Sequence, residues 1–183
     1  MKAAFRILFI VCSILYPFFI YFGQDRLPSP VLAGALFTII IFRVIAIGWR
    51  EPIAKWWLAI GIGIFILTYT SDSLGALLWY PAFINLVFLF IFGVSLYYPP
   101  TMIERFARMR NEDLPDYAIG YTRKVTQVWC VFFIVNAIVA AWTAYFSTVK
   151  IWALYNGLIA YLLIGTLFVC EWIVRYFYRR RHT

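Results

Sequence analysis

The sequence predicts an all-α fold: a polytopic transmembrane helix bundle of six spans. Both termini are expected in the cytoplasm, with one amphipathic helix at the cytoplasmic interface. Three observations predict this. Of 183 residues, 64% are apolar, 21% aromatic and 13% charged, with a mean hydropathy of +0.84; an average soluble domain carries about 25% charge. The apolar residues fall into six runs near the roughly 20 residues that a helix needs to cross the hydrocarbon core. Of the 16 basic residues, all but Arg26 and Lys150 fall on one side of the resulting layout, the positive-inside pattern. A water-soluble globule of this size could not bury so much apolar surface, and disorder requires low hydrophobicity. Residues 1–183 are therefore read as one integral membrane domain.

The first span is placed at Phe5–Phe22 and ends at Gly23-Gln24-Asp25-Arg26 and the Pro28-Ser29-Pro30 turn. Lys2 and Arg6 precede it as in a signal peptide, but no small-x-small cleavage site follows, so it is read as a retained helix that Pro17 kinks. The second span is Val31–Ile47, and the third, Ile53–Tyr69, opens after Pro52. The fourth, Leu77–Tyr98, stops at Pro99-Pro100. The fifth and sixth are Val125–Phe146 and Ile151–Val174. No run alternates with period two, which excludes a membrane barrel.

The one long connection is the cytoplasmic loop 99–124. Thr101 followed by Glu104 has the capping-box spacing. Met102, Ile103, Phe106, Ala107 and Met109 share one helical face, with Glu104, Arg105 and Arg108 opposite. This predicts a short amphipathic helix lying on the inner membrane surface, ended by Asn111 and Leu114-Pro115. Its charges, with Arg110, Arg123 and Lys124, are candidates for docking a partner or anionic lipid headgroups. The acidic Glu112, Asp113 and Asp116 beside them read as local pairing. Interfacial aromatic belts are expected from Trp79, Tyr80, Trp142, Tyr145, Trp152 and Tyr155 on the outer side. Trp49, Trp56, Trp57, Trp129, Trp172 and Tyr176 would form the inner one.

Polar groups at membrane depth are the default place to look for function. They are Arg43, Asn85, Asn136, Asn156 and Glu171. Arg43 is expected to snorkel or to bind a headgroup. The three asparagines either bond between helices or line a shared pocket. Glu171 precedes Arg175 by four residues, the favoured spacing for a helix ion pair. Asp72 is expected to be solvated. Ala137, Ala140, Ala141, Ala144, Gly61, Gly63, Gly157 and Gly165 would let helices approach closely.

Several chemistries are excluded. The single histidine, His182, is one residue from the end, which argues against haem and histidine-based metal or acyl-transfer sites. No P-loop or GxSxG motif occurs. Cys12, Cys130 and Cys170 sit in apolar runs as filler. No cofactor or metal is expected, and no catalytic residue stands out. Nucleic acid is excluded because the basic residues flank spans and no binding module is present. No internal repeat supports an inverted-repeat transporter.

Three strings carry a resemblance over residues 97–175. They are Tyr98-Pro99-Pro100-Thr101-Met102-Ile103-Glu104-Arg105, Tyr121-Thr122-Arg123-Lys124-Val125-Thr126-Gln127-Val128-Trp129, and the block from Trp152-Ala153-Leu154-Tyr155-Asn156-Gly157-Leu158 through Cys170-Glu171-Trp172. They resemble a family of small bacterial inner-membrane proteins found with fatty-acid-synthase-like enzymes that make aryl polyene or xanthomonadin-type pigments. The resemblance implies location in the bacterial cytoplasmic membrane, a pathway context, and an acidic acyl carrier protein as a partner for the basic loop; it implies no mechanism. The leading expectation is an accessory protein supporting synthesis, hand-off or export of a lipid-like product. A small transporter or flippase would require a polar cavity reaching both leaflets. A lipid-modifying enzyme would require Glu104, Arg105, Arg123 and Glu171 to gather at one site.

Overall fold

A computed structural model describes residues 2–48, 52–71, 74–109 and 114–180. Trp49, Arg50, Asp72, Arg110, Asn111, Glu112, Asp113, Arg181 and His182 lie outside the described residues. The fold is all-α, 89% helical, with no strand among the described residues. The helices are α1 (Lys2–Gly23), α2 (Ser29–Ile47), α3 (Pro52–Ser71), α4 (Gly75–Leu78) and α5 (Tyr80–Tyr97). They continue as α6 (Met102–Arg108), α7 (Asp116–Phe146), α8 (Val149–Leu154) and, after a π-helical turn at Tyr155–Ile159, α9 (Ala160–Arg180). Among the described residues three stretches are long and apolar enough to cross a membrane: Tyr80–Tyr97, Asp116–Phe146 and Val149–Tyr178. Ser29–Ile45 and Trp57–Thr70 are shorter apolar helices. A membrane protein is what this composition and helix set describe.

The chain divides into two compact units: residues 1–80 with 142–159, and residues 81–141 with 160–183. In the first unit, α2 packs against both α1 and α3. Two of the glycines expected to let helices meet do so. A Cβ on Gly61 would lie 3.0 Å from Ile40, and one on Gly157 would lie 2.8 Å from the Phe18 ring. Gly63 and Gly165 have open space beside them, so the expected close packing fails at these two positions.

The expected fourth span is broken at Trp79, between α4 and α5. Pro81 is the reason. It has no N–H to donate to the carbonyl of Leu77 four residues back. Tyr16 Oη donates to that carbonyl instead, at 3.1 Å, and Trp152 Nε1 donates to the next one, Leu78 O, at 2.8 Å. The sixth run is interrupted by a related device. Asn156 Nδ2 donates to Trp152 O at 2.9 Å and to Thr143 Oγ1 at 3.3 Å, inside the π turn. Side-chain bonding to a helical carbonyl competes with the i→i−4 ladder, and π turns form where that ladder is disturbed.

These bonds correct the aromatic belts. Trp152 is 0% exposed, and Tyr80, Trp57 and Trp129 are core residues as well. Each sits at a helix–helix contact, where packing takes precedence over the interface. Trp79, Trp142, Tyr145, Trp172 and Tyr176 are exposed, as belt residues should be.

The second unit is built on a cluster of Phe92, Val125, Trp129, Cys130 and Phe133. Phe88 stacks on Phe133 at 5.4 Å, and Phe92 meets the same ring edge-on at 5.1 Å. In lipid the hydrophobic drive between helices is small, so such rings hold the unit through dispersion and shape.

Replacing Gly157 by leucine should force the Phe18 ring out of place and cost about 1–3 kcal/mol. Thermal unfolding in detergent, with Gly165→Leu as the comparison, checks this. Equal melting temperatures for the two variants would contradict the packing described.

Candidate functional site

Helix α6 forms as its sequence dictates. Thr101 Oγ1 accepts from Glu104 N at 3.4 Å and Glu104 Oε2 accepts from Thr101 N at 3.3 Å, completing the capping box. Ser95 Oγ takes a further first-turn donor, Met102 N, at 2.9 Å. Glu104 was expected on the solvated docking face, and there the structure corrects the reading: it is 4% exposed. Folding back onto the helix start buries one carboxylate oxygen, and Arg108 covers the other, with Nη2 at 2.8 Å and Nε at 2.9 Å. Glu104 is thus a structural residue. Arg105 is exposed and donates from Nε to Pro100 O at 2.8 Å. Arg123 and Lys124 are exposed on α7. Arg110 lies outside the described residues.

The expected fifth span begins at Val125, but α7 starts at Asp116 and runs for 31 residues. The additional two and a half turns bring Tyr117, Ala118, Tyr121 and Thr122 into line with Val125 and Trp129, one stripe at helical spacing. With Ile103, Phe106 and Ala107 of α6 and Phe168, Glu171, Trp172 and Arg175 of α9, this stripe bounds a groove of about 920 Å³. That volume lies at the upper end of the ~300–1,000 Å³ found for small-molecule sites. All of its lining belongs to the second unit. Its α7 lining lies between Tyr117 and Trp129 and its α9 lining between Phe168 and Tyr178, so the groove sits toward one end of these helices.

The polar groups of the groove form one chain. Tyr121 Oη donates to Glu171 Oε1 at 3.1 Å and to the Glu171 carbonyl at 3.2 Å. Glu171 Oε2 faces Arg175 Nη2 at 3.5 Å. The i,i+4 ion pair expected from the sequence is therefore present, but with one longer contact rather than the two short ones at Glu104. Tyr178 stacks on Tyr121 at 4.9 Å, with Tyr117 at 6.3 Å from Tyr178. Trp129 lies 4.9 Å from Phe168 deeper in. The groove is thus apolar and aromatic along its length; among the described residues its wall carries one cation, Arg175, one carboxylate, Glu171, and four tyrosines, of which Tyr121 bonds the carboxylate.

The remaining candidates lie elsewhere. Asn136 Nδ2 donates to Asn85 Oδ1 at 2.9 Å, and Asn85 Nδ2 donates to Pro81 O at 2.8 Å, so these two bond between helices in the second unit. Asn156 serves the π turn in the first unit. Arg43 lies in the first unit with its guanidinium 4.3 Å over the Trp57 ring and its Nε buried. That contact is a cation–π pair. Among the described residues no three His, Cys, Asp or Glu side chains gather at metal-ligating range.

Sequence reasoning singled out Glu171 but missed Tyr121, Tyr117, Tyr178 and Trp129 as groove residues. The signal was available: residues 117, 121, 125 and 129 are spaced by four.

The Asn85–Asn136 bond should be worth about 0.5–1.5 kcal/mol, the range for interhelical polar bonds in membrane proteins. A double-mutant cycle with alanine at each position, read by unfolding in mixed micelles, measures it; strict additivity would contradict the bond. No family model matches the chain, and comparison with curated proteins and with solved structures finds no significant match.

Proposed function

We propose that this chain is an accessory protein of the bacterial cytoplasmic membrane that holds a lipid-like amphiphile during its synthesis, hand-off or export. In this reading it has six spans with both termini cytoplasmic, and the groove opens at the cytoplasmic side. The charge distribution supports the orientation, since only Arg26 and Lys150 oppose it. The resemblance over residues 97–175 supports an aryl polyene-type product.

The groove is the observation that carries the reading. An apolar, aromatic-lined space of about 920 Å³ with a few converging polar groups is the ordinary form of an amphiphile site. Phe168, Trp172 and Tyr176 line it and are also exposed outwards, so a chain could pass in sideways from the bilayer. Arg105, Arg123 and Lys124 are exposed cations at the same end of the helices, where an acidic acyl carrier protein would deliver its cargo. The lipid-modifying enzyme needs Glu104, Arg105, Arg123 and Glu171 together. Glu104 is instead committed to its helix cap and Glu171 to Tyr121, which favours holding over chemistry.

Ala118 faces the groove, and Ala118→Phe fills it from a solid helix. Cells in which this variant replaces the natural protein should retain about tenfold less product in the inner membrane, as a binding loss near 1.4 kcal/mol implies. Lipid and pigment profiling at matched protein level reads this, and full activity of the variant would overturn the proposal. Reporter fusions at both ends should report cytoplasm, and a fusion at Asp25 should report the opposite side.

A further inference from the structure

We infer that the ligand of this groove is a long-chain carboxylate, bound through its head by Arg175 and through its tail by Val125, Trp129 and Phe168. The inference rests on the amphiphile reading above and adds the head-group chemistry.

Tyr121 bonds both the side chain and the backbone carbonyl of Glu171, which holds that carboxylate toward α7. Arg175 is then left with a single contact at 3.5 Å. Charge-assisted N–H···O bonds are about 2.7–2.9 Å when fully formed. A guanidinium carries five donors in a planar fork, and this contact uses one edge of it. The Arg175 side chain is 43% exposed, against 15% for Glu171, so the cation is the more accessible member of the pair.

A second carboxylate presented at the groove can take the remaining edge of the fork in the bidentate geometry that guanidinium favours. Arg175 would then bridge two carboxylates, with Glu171 restrained by Tyr121. The wider surroundings favour a negative head as well. Residues 101–181 outside the spans are richer in Arg and Lys than in Asp and Glu, and the whole chain carries +8.

A monoanion fits better than a phosphate. Arg175 is the one cation on the groove wall among the described residues, and Arg180 is engaged 4.6 Å over the Tyr176 ring. A cationic head would be repelled by Arg175, and a neutral head would gain nothing from it. The aromatic walls at Trp129 and Phe168 accept any apolar chain, so they set the tail and leave selectivity to the head.

The test uses the full chain purified in detergent and the quenching of Trp129 and Trp172 by brominated chains. The probes are dibromostearate, dibromostearyl alcohol and a brominated lysophosphatidate. Dibromostearate should bind tightest. Arg175→Gln should weaken it about tenfold, the effect of one hydrogen bond between ions, and leave the alcohol unchanged. Glu171→Gln keeps an acceptor for Tyr121 but removes a competing charge, so it should tighten dibromostearate about threefold. A merely structural Glu171 would not do that. Lys150→Gln, at an exposed cation that is not part of the groove wall, should change none of the probes.

Three results would overturn the inference in different ways. If Arg175→Gln and Glu171→Gln leave dibromostearate unaffected while Ala118→Phe blocks both probes, the carboxylate assignment is wrong and the amphiphile reading stands. Tighter binding of the lysophosphatidate would assign the head to a phosphate instead. If Ala118→Phe blocks nothing, the groove is not the site and both readings fall.

Discussion

A helix buried away from water cannot leave a polar backbone group bare, because no solvent is there to take it. That constraint organises the irregular parts of this chain. Where Pro81 interrupts the ladder, two successive carbonyls, Leu77 and Leu78, are taken by Tyr16 and Trp152 from other helices. Where the π turn at Tyr155–Ile159 loosens it, Asn156 bonds Trp152 O and reaches Thr143 Oγ1 on α7. The breaks thus become the points at which helices of the first unit are fastened to one another. In water a free carbonyl would simply be solvated, and neither Tyr16 nor Trp152 would be so constrained. Thr122 and Thr126 follow the same rule more quietly, returning their hydroxyls to Ile119 O and Thr122 O within α7.

Much of the helical layout is legible from apolar runs, since the expected spans overlap α1, α2, α3, α5, α7 and the α8–α9 run closely. The departures have physical causes. A run of apolar residues reports hydrophobic length, not helix length, so it begins the fifth span at Val125 and misses the polar turns from Asp116 onward. A proline inside a membrane run is tolerated in principle, so Pro81 alone does not announce a break. Its effect becomes visible only when the residues that rescue Leu77 and Leu78, 61 and 74 positions away, are known. The aromatic belts fail for a related reason. Tryptophan at a helix end suits an interface and a packed junction equally, and sequence position does not separate them.

The site is legible in part. The capping box at Thr101 and Glu104 and the Glu171–Arg175 pair follow from spacing alone, because both are local. The partner of Asn136 and the tyrosine that holds Glu171 are separated from them by 51 and 50 residues and could not be read from spacing. The groove needed one further step, the recognition that a helix continuing past its apolar run carries its stripe on with it. Such a wall can be apolar and still hold charge.

The two Glu-x-x-x-Arg pairs of the second unit show how much context decides. Both glutamates meet their arginine one turn later. Glu104 spends one oxygen on its helix cap and receives Arg108 twice on the other, so the carboxylate is saturated and buried. Such a pair anchors α6, and removing Arg108 would leave the buried Glu104 carboxylate without its counter-charge. Glu171 spends one oxygen on Tyr121 and meets Arg175 through a single longer contact beside a groove. The first arrangement has no capacity for a ligand, because every polar atom of its carboxylate is already engaged at close range. The second keeps a cation accessible while its counter-charge is held aside. Spacing makes the two pairs identical; the neighbouring tyrosine and the adjacent apolar wall make one a brace and the other a candidate receptor.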